Sequence, residues 1–123
     1  MRRERDITST LRKFASNIYV GSQNDSRPGA TIVDVRKLPE SPWRAADINR
    51  PAVDSFVRDI DEAWMGGEVL IVCTYGVNRS PSVAKLYCIS KGLEFNWMGS
   101  FPTRAWREYV NINYDYYRNF WST

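Results

Sequence analysis

The chain has 123 residues, 43% of them hydrophobic, with 17 Lys and Arg against 14 Asp and Glu and no histidine, which fits one soluble globular domain spanning residues 1–123. Without histidine there can be no Ser–His or Cys–His nucleophile pair and no zinc site with His ligands. A net charge of +3 suits anionic substrates but is too small to argue for nucleic acid.

Met1 to Asp6 is charged and is not followed by an apolar run, so it does not read as a signal peptide. No apolar run approaches the ~20 residues of a membrane span. Two cysteines make no disulfide framework, and a reducing cytoplasm is the expected compartment.

Residues 1–13 lack a clear period beyond Ile7 and Leu11 and read as a frayed start or short surface helix; Arg2, Arg3 and Arg5 form a solvated charge run. Ile18 to Ser22 reads as a strand ended by glycine, and Thr31 to Val35 as a second. Leu38 to Arg50 contains Pro39, Ser41 and Pro42 and has no period, so it reads as a loop over the active-site face that carries Trp43, Arg44 and Asp47. Pro51 to Met65 repeats Val53, Phe56, Val57, Ile60, Ala63 and Trp64 at helical spacing, with Asn49 as cap and Gly66-Gly67 as stop. Val69 to Val72 is a short β-branched run suited to a buried strand, and Ser82 to Lys91 is a helix with Pro81 in its first turn and Gly92 after it. Leu93 to Pro102 is irregular, with a turn at Gly99-Ser100. From Thr103 the spacing of Trp106, Tyr109, Val110, Asn113, Tyr117, Phe120 and Trp121 predicts one closing amphipathic helix that packs as core and lid. This order predicts an α/β fold: a three-layer sandwich with a small, mostly parallel central sheet and helices on both faces.

Between the buried strand and its helix lies Cys73-Thr74-Tyr75-Gly76-Val77-Asn78-Arg79-Ser80. A loop of this length can turn its backbone N–H groups onto one anion, and the helix N-terminus adds free donors and the positive end of its dipole. Arg79 offers a planar fork for two oxygens of a phosphate or sulfate. Gly76 permits a conformation or a close approach that a side chain would block. The same positive surroundings favour the thiolate of Cys73, the nucleophilic form. Ser80 can donate to the sulfur.

Cys-x5-Arg-Ser, with glycine three residues after the cysteine, resembles the signature of the protein tyrosine phosphatase superfamily. The dual-specificity branch is the closest match, and Ile18-Tyr19-Val20-Gly21-Ser22 is similar to its opening strand. Val72 stands where that family usually has a histidine. The resemblance implies a phosphotyrosine phosphatase-like fold and hydrolysis of phosphate monoesters, phosphotyrosine and also phosphoserine or phosphothreonine, through a phosphocysteine intermediate. It implies Cys73 as nucleophile, Arg79 as transition-state clamp, Ser80 as aid to the leaving thiolate, and Thr74, Tyr75, Gly76, Val77 and Asn78 as the substrate-binding loop. It also implies an acid on the loop before the preceding helix. Asp47 fits that place, with Asp54 and Asp34 as rivals, and Arg44 is a second candidate anion contact. No cofactor or metal is expected; the expected partner is a phosphorylated protein or another phosphate monoester as substrate, with no membrane or nucleic acid, and the chain is expected to be a monomer.

Two other readings stay open. One is a phosphate-binding module that keeps the loop and lacks the chemistry. The other is a rhodanese-type sulfurtransferase, suggested by Val33-Asp34-Val35-Arg36 and Trp106. Cys88 reads as a core residue, with a redox partnership with Cys73 as its alternative.

Overall fold

The computed structural model describes residues 10–40 and 43–122. The strands are β1 (Arg12–Ala15), β2 (Ile18–Ser22), β3 (Thr31–Asp34) and β4 (Val69–Cys73). The helices are α1 (Arg50–Gly66), α2 (Arg79–Lys91), α3 (Arg104–Ile112) and α4 (Tyr114–Arg118), with a single 3-10 turn at Ala45–Asp47. The fold is α/β: an open, mixed four-stranded sheet in the order β1-β2-β4-β3, with four helices among the described residues. β4 pairs parallel with β2 and β3, and β1 pairs antiparallel with β2.

β1 corrects the expected start of the chain. Thr10 to Lys13 is neither frayed nor helical, and Arg12 and Lys13 lie in a strand. A tight turn makes the hairpin: Asn17 adopts φ 61°, a left-handed conformation that asparagine tolerates. The expectations for Ile7, for the Arg2, Arg3 and Arg5 run, and for Ser41 and Pro42 as breakers lie outside the described residues.

The helices also depart from the three-layer expectation. Val69, Ile71, Val20, Ile18 and Val33 join one core with Val57, Ile60, Val83 and Leu86, and α1 and α2 pack against each other as well as the sheet. Among the described residues, the helical layer covers one face only. The opposite face is crossed by residues 23–30, which run from the end of β2 back to the start of β3. The β2-to-β3 and β3-to-β4 connections travel along the sheet in opposite directions, so crossovers of the same hand must lie on opposite faces. The second crossover holds α1, whereas the first is too short for a helix and lies as an extended strap. Arg27 stacks on Tyr19 at 3.9 Å and pairs with Glu68, and Asp25 packs over Gly21. Leu70, on this face, is fully buried.

α1 matches its expected span and cap: Asn49 Oδ1 accepts from the Ala52 N–H at 3.2 Å. α2 begins three residues earlier than the pattern indicates, at Arg79, and Gly92 closes it in the left-handed conformation, φ 69°. The closing helix is two helices rather than one. The break falls at Asn113, with φ −101° and ψ 15°, whose backbone N–H and side-chain amide both donate to the Tyr109 carbonyl, at 3.0 Å and 2.9 Å. Trp106, Tyr109, Val110 and Tyr117 are nevertheless buried as the spacing predicts. No helix is long and apolar enough to cross a membrane among the described residues.

Candidate active site

β4 delivers Cys73 to the carboxyl edge of the sheet, and α2 starts six residues later. Open α/β sheets place ligands at this edge. The Cys73 side chain is buried, and three groups converge on its sulfur: the Gly76 N–H at 3.3 Å, the Ser80 N–H at 3.2 Å and Ser80 Oγ at 3.3 Å. Ser80 Oγ also lies 3.3 Å from the Gly21 carbonyl, which orients it. The structure therefore brings Cys73, Gly76 and Ser80 together.

The rest of the loop is held from outside. The Thr74 carbonyl accepts from the Gln23 N–H, the Gly76 carbonyl from Arg12 Nη1 at 3.0 Å, and the Val77 carbonyl from the Phe101 N–H at 2.7 Å. In a trans peptide the C=O and the following N–H point in opposite directions, and the chain has no cis bonds among the described residues. The N–H groups of Tyr75, Val77 and Asn78 therefore turn to the inner side of the loop. No described residue accepts from them. Such a row of inward amides at a helix N-terminus can cradle an anion. Gly76 is indispensable to it: φ is +78°, and a Cβ there would lie 2.4 Å from Thr10 Oγ1 and 2.7 Å from the Gly21 backbone.

Arg79 is 5% exposed and faces a second wall. Its Nη1 donates to the carbonyls of Arg36 (2.6 Å) and Leu38 (2.9 Å), and its Nη2 donates to Thr74 Oγ1 at 2.7 Å. Its Nε is buried with no hydrogen-bond partner. A buried charged donor left unpaired is costly, so this N–H is the group in the loop most in need of an acceptor. The wall itself is braced: the Pro39 carbonyl accepts from Trp106 Nε1, and Asn78 bridges the Glu40 carbonyl to the Thr103 N–H at the start of α3. Asn78 is thus a buried brace, while Tyr75 stands 63% exposed at the rim.

The expected acid, Asp47, lies in the connection before α1, as its spacing indicates. Asp47 lies on the 3-10 turn, where its carboxylate accepts from Arg44 Nη2 at 3.0 Å. Arg44 is taken up by this pair, and neither residue contributes a hydrogen bond to the loop. Asp54 is buried and accepts from the Tyr116 and Tyr117 hydroxyls, a structural role. Asp34 pairs with Arg36, whose hydrogen bonds hold its carboxyl below the usual range. The carboxylate that reaches the loop arginine is Glu40, with Oε1 3.5 Å from Arg79 Nη2.

Sequence reasoning did not anticipate the contacts of Glu40 and Arg12 with this region. Pro39-Glu40 beside the acid-bearing segment was the available signal for Glu40; Arg12, in a charged run, gave none. Arg12 is partly buried, and burial pulls its pKa down while the charges of Cys73 and Asp25 act the other way. Cys88 is fully buried, with its thiol pushed up to about 12 by burial. Both cysteines are free.

A hollow of about 540 Å³ between β3 and α1, lined by Ile32, Phe56 and Asp59 among others, includes neither Cys73 nor Arg79. Among the described residues no cluster of acidic or cysteine side chains could hold a metal ion. No family model, curated protein or solved structure matches the chain.

Proposed function

We propose that the chain is a cysteine-dependent phosphatase acting on phosphate monoesters. The observation that carries this reading is the pairing of a sulfur met by two backbone N–H donors and the Ser80 hydroxyl with a buried arginine whose Nε has no partner. The Cys73 thiolate attacks phosphorus, and the ester P–O bond breaks as the P–S bond forms. The inward amides and the unpartnered Arg79 Nε–H hold the non-bridging oxygens and stabilise the charge that builds on them. A carboxylic acid gives its proton to the leaving oxygen. Water then attacks the phosphocysteine, its proton passes to that carboxylate, and the thiolate leaves with help from Ser80 Oγ.

Asp47 holds the place that the family resemblance gives to the acid, and Glu40 is the carboxylate beside Arg79. The hydrogen-bond pattern favours Glu40, because Asp47 is engaged by Arg44. That engagement also supports a second reading, a phosphate-binding module without turnover.

Hydrolysis of an aryl phosphate without added metal tests the proposal across pH 5 to 8. Wild type is expected to turn over and Cys73→Ser to lose activity. Glu40→Gln is expected to lower kcat by about 100-fold, and Asp47→Asn by much less. Substantial residual activity in Cys73→Ser would sink the assignment. A folded wild type that binds phosphate without turnover would leave the binding module.

A further inference from the structure

We infer that Arg12 is a positioning residue for the Cys73 loop, acting through the Gly76 carbonyl together with the turn at residues 97–101. The inference rests on the phosphate-loop reading and deepens it.

Arg12 reaches four acceptors. Its Nη1 donates to the Thr10 carbonyl at 2.8 Å and the Gly76 carbonyl at 3.0 Å; its Nε donates to the Met98 carbonyl at 3.0 Å and its Nη2 to Ser100 Oγ at 2.9 Å. Those residues come from the β1 strand entry, the phosphate loop and the 97–101 turn. Only a planar fork with donors in fixed directions can serve all four at once; a lysine ammonium cannot.

The turn is shaped to this guanidinium. Gly99 has φ +83°, and a Cβ there would lie 2.9 Å from Arg12 Nε. Ser100 is buried and presents its hydroxyl to Nη2. The next residue, Phe101, closes the circuit by donating to the Val77 carbonyl. Two successive loop carbonyls, Gly76 and Val77, are therefore drawn outward by one assembly. Because each trans peptide is planar, drawing the carbonyls outward aims the N–H groups of Val77 and Asn78 inward. Without Arg12 the peptide between Gly76 and Val77 loses its outer tether, and its N–H no longer has a fixed direction.

A purely structural Arg12 would tie β1 to the 97–101 turn and nothing more. Its loss would then lower Tm and leave the loop chemistry intact. The positioning role predicts a different pattern, because misplacing a catalytic donor by about 1 Å can cost about 100-fold.

The experiment uses the full chain as wild type, Arg12→Gln, Arg12→Lys, Gly99→Ala and the Arg12→Gln/Gly99→Ala double variant. The measurements are kcat and KM on an aryl phosphate, the inhibition constant of inorganic phosphate, the pH profile of Cys73 alkylation by iodoacetamide, and Tm. Arg12→Gln is expected to lower kcat by about 10- to 100-fold and to weaken phosphate by about 10-fold, at temperatures well below its Tm. The alkylation profile should shift to higher pH. Arg12→Lys should rescue little of this. Gly99→Ala should act in the same direction, and the double variant should be no worse than Arg12→Gln alone.

Wild-type kcat and phosphate inhibition in Arg12→Gln, with only Tm lowered, would overturn the inference and leave the phosphatase reading standing. If Arg12→Gln does not fold, Gly99→Ala decides, and unchanged kinetics there would overturn it. A wild type that neither hydrolyses the ester nor binds phosphate removes the loop reading, and this inference with it.

Discussion

Cys73 and Cys88 are both buried thiols with opposite surroundings. Cys73 ends a strand and faces two amide N–H groups and a serine hydroxyl. Cys88 sits on the inner side of α2, where burial pushes its thiol up to about 12. At pH 8 the thiolate fraction of Cys88 is therefore about one in 10,000. The native protein is expected to take up one iodoacetamide label at pH 8, on Cys73. Two labels should appear after unfolding, and native Cys73→Ser should take none. Rapid double labelling of the native chain, read by mass spectrometry, would contradict this. What the sequence made legible at this scale was the contiguous part of the site. Cys73, Gly76, Arg79 and Ser80 lie close together in sequence across the junction of β4 and α2, so local geometry alone brings them together. Arg12 and Glu40 were not legible because their loop partners lie 64 and 39 residues away. Asp47 has a suitable spacing, but a cation on its own turn, Arg44, is nearer than the loop.

The elements were legible where one face is apolar and hidden where tertiary contacts decide. α1 and β4 carry strong patterns and end where their capping and turn residues indicate. β1 has charged residues at two of its four positions and is a strand because β2 offers it a ladder. The break at Asn113 is a local change of backbone angle, to φ −101° and ψ 15°, that periodicity does not register. Beyond that break, α4 is docked by Asp54 of α1, which accepts from Tyr116 at 2.6 Å and from Tyr117 at 2.8 Å; Tyr117 in turn meets the Tyr109 hydroxyl at 2.7 Å. Removing the carboxylate leaves the buried Tyr117 hydroxyl short of an acceptor. Asp54→Ala is expected to cost about 2–3 kcal/mol in denaturant unfolding, and Tyr117→Phe about 1 kcal/mol. The two losses should be non-additive, since both break the same network. A loss below about 0.5 kcal/mol for Asp54→Ala would mean that α4 docks by apolar packing alone.

At the scale of the whole molecule, weak acids gather on the helical side of the sheet. Tyr87, Cys88, Tyr109 and Tyr117 all have raised pKa values, chiefly from burial, and Cys88 and Tyr109 reach about 12. Tyr87 donates to Asp61, and Tyr117 to Asp54, so ionising either would set a second negative charge against a carboxylate. In the unfolded chain these groups return to ordinary values, about 8.5 for cysteine and about 10 for tyrosine. The unfolded chain therefore releases its protons first as pH rises. Their contribution to stability is complete below the unfolded values and is lost as pH climbs toward the folded ones. Cys88 alone should account for about 3 kcal/mol of lost stability by about pH 10.5, two units above its unfolded value. Tm is expected to be flat between pH 6 and 8 and to fall steeply above about pH 9. Cys88→Ala should soften that fall, and tyrosinate absorbance should rise together with unfolding. The hydrolysis proposed for this chain should follow the same curve on the alkaline side, because these acids lie on the helices that hold the loop in place. If Cys88→Ala leaves the alkaline Tm limb unchanged, the thiol is not ionising on unfolding there, and the steep fall must come from the tyrosines.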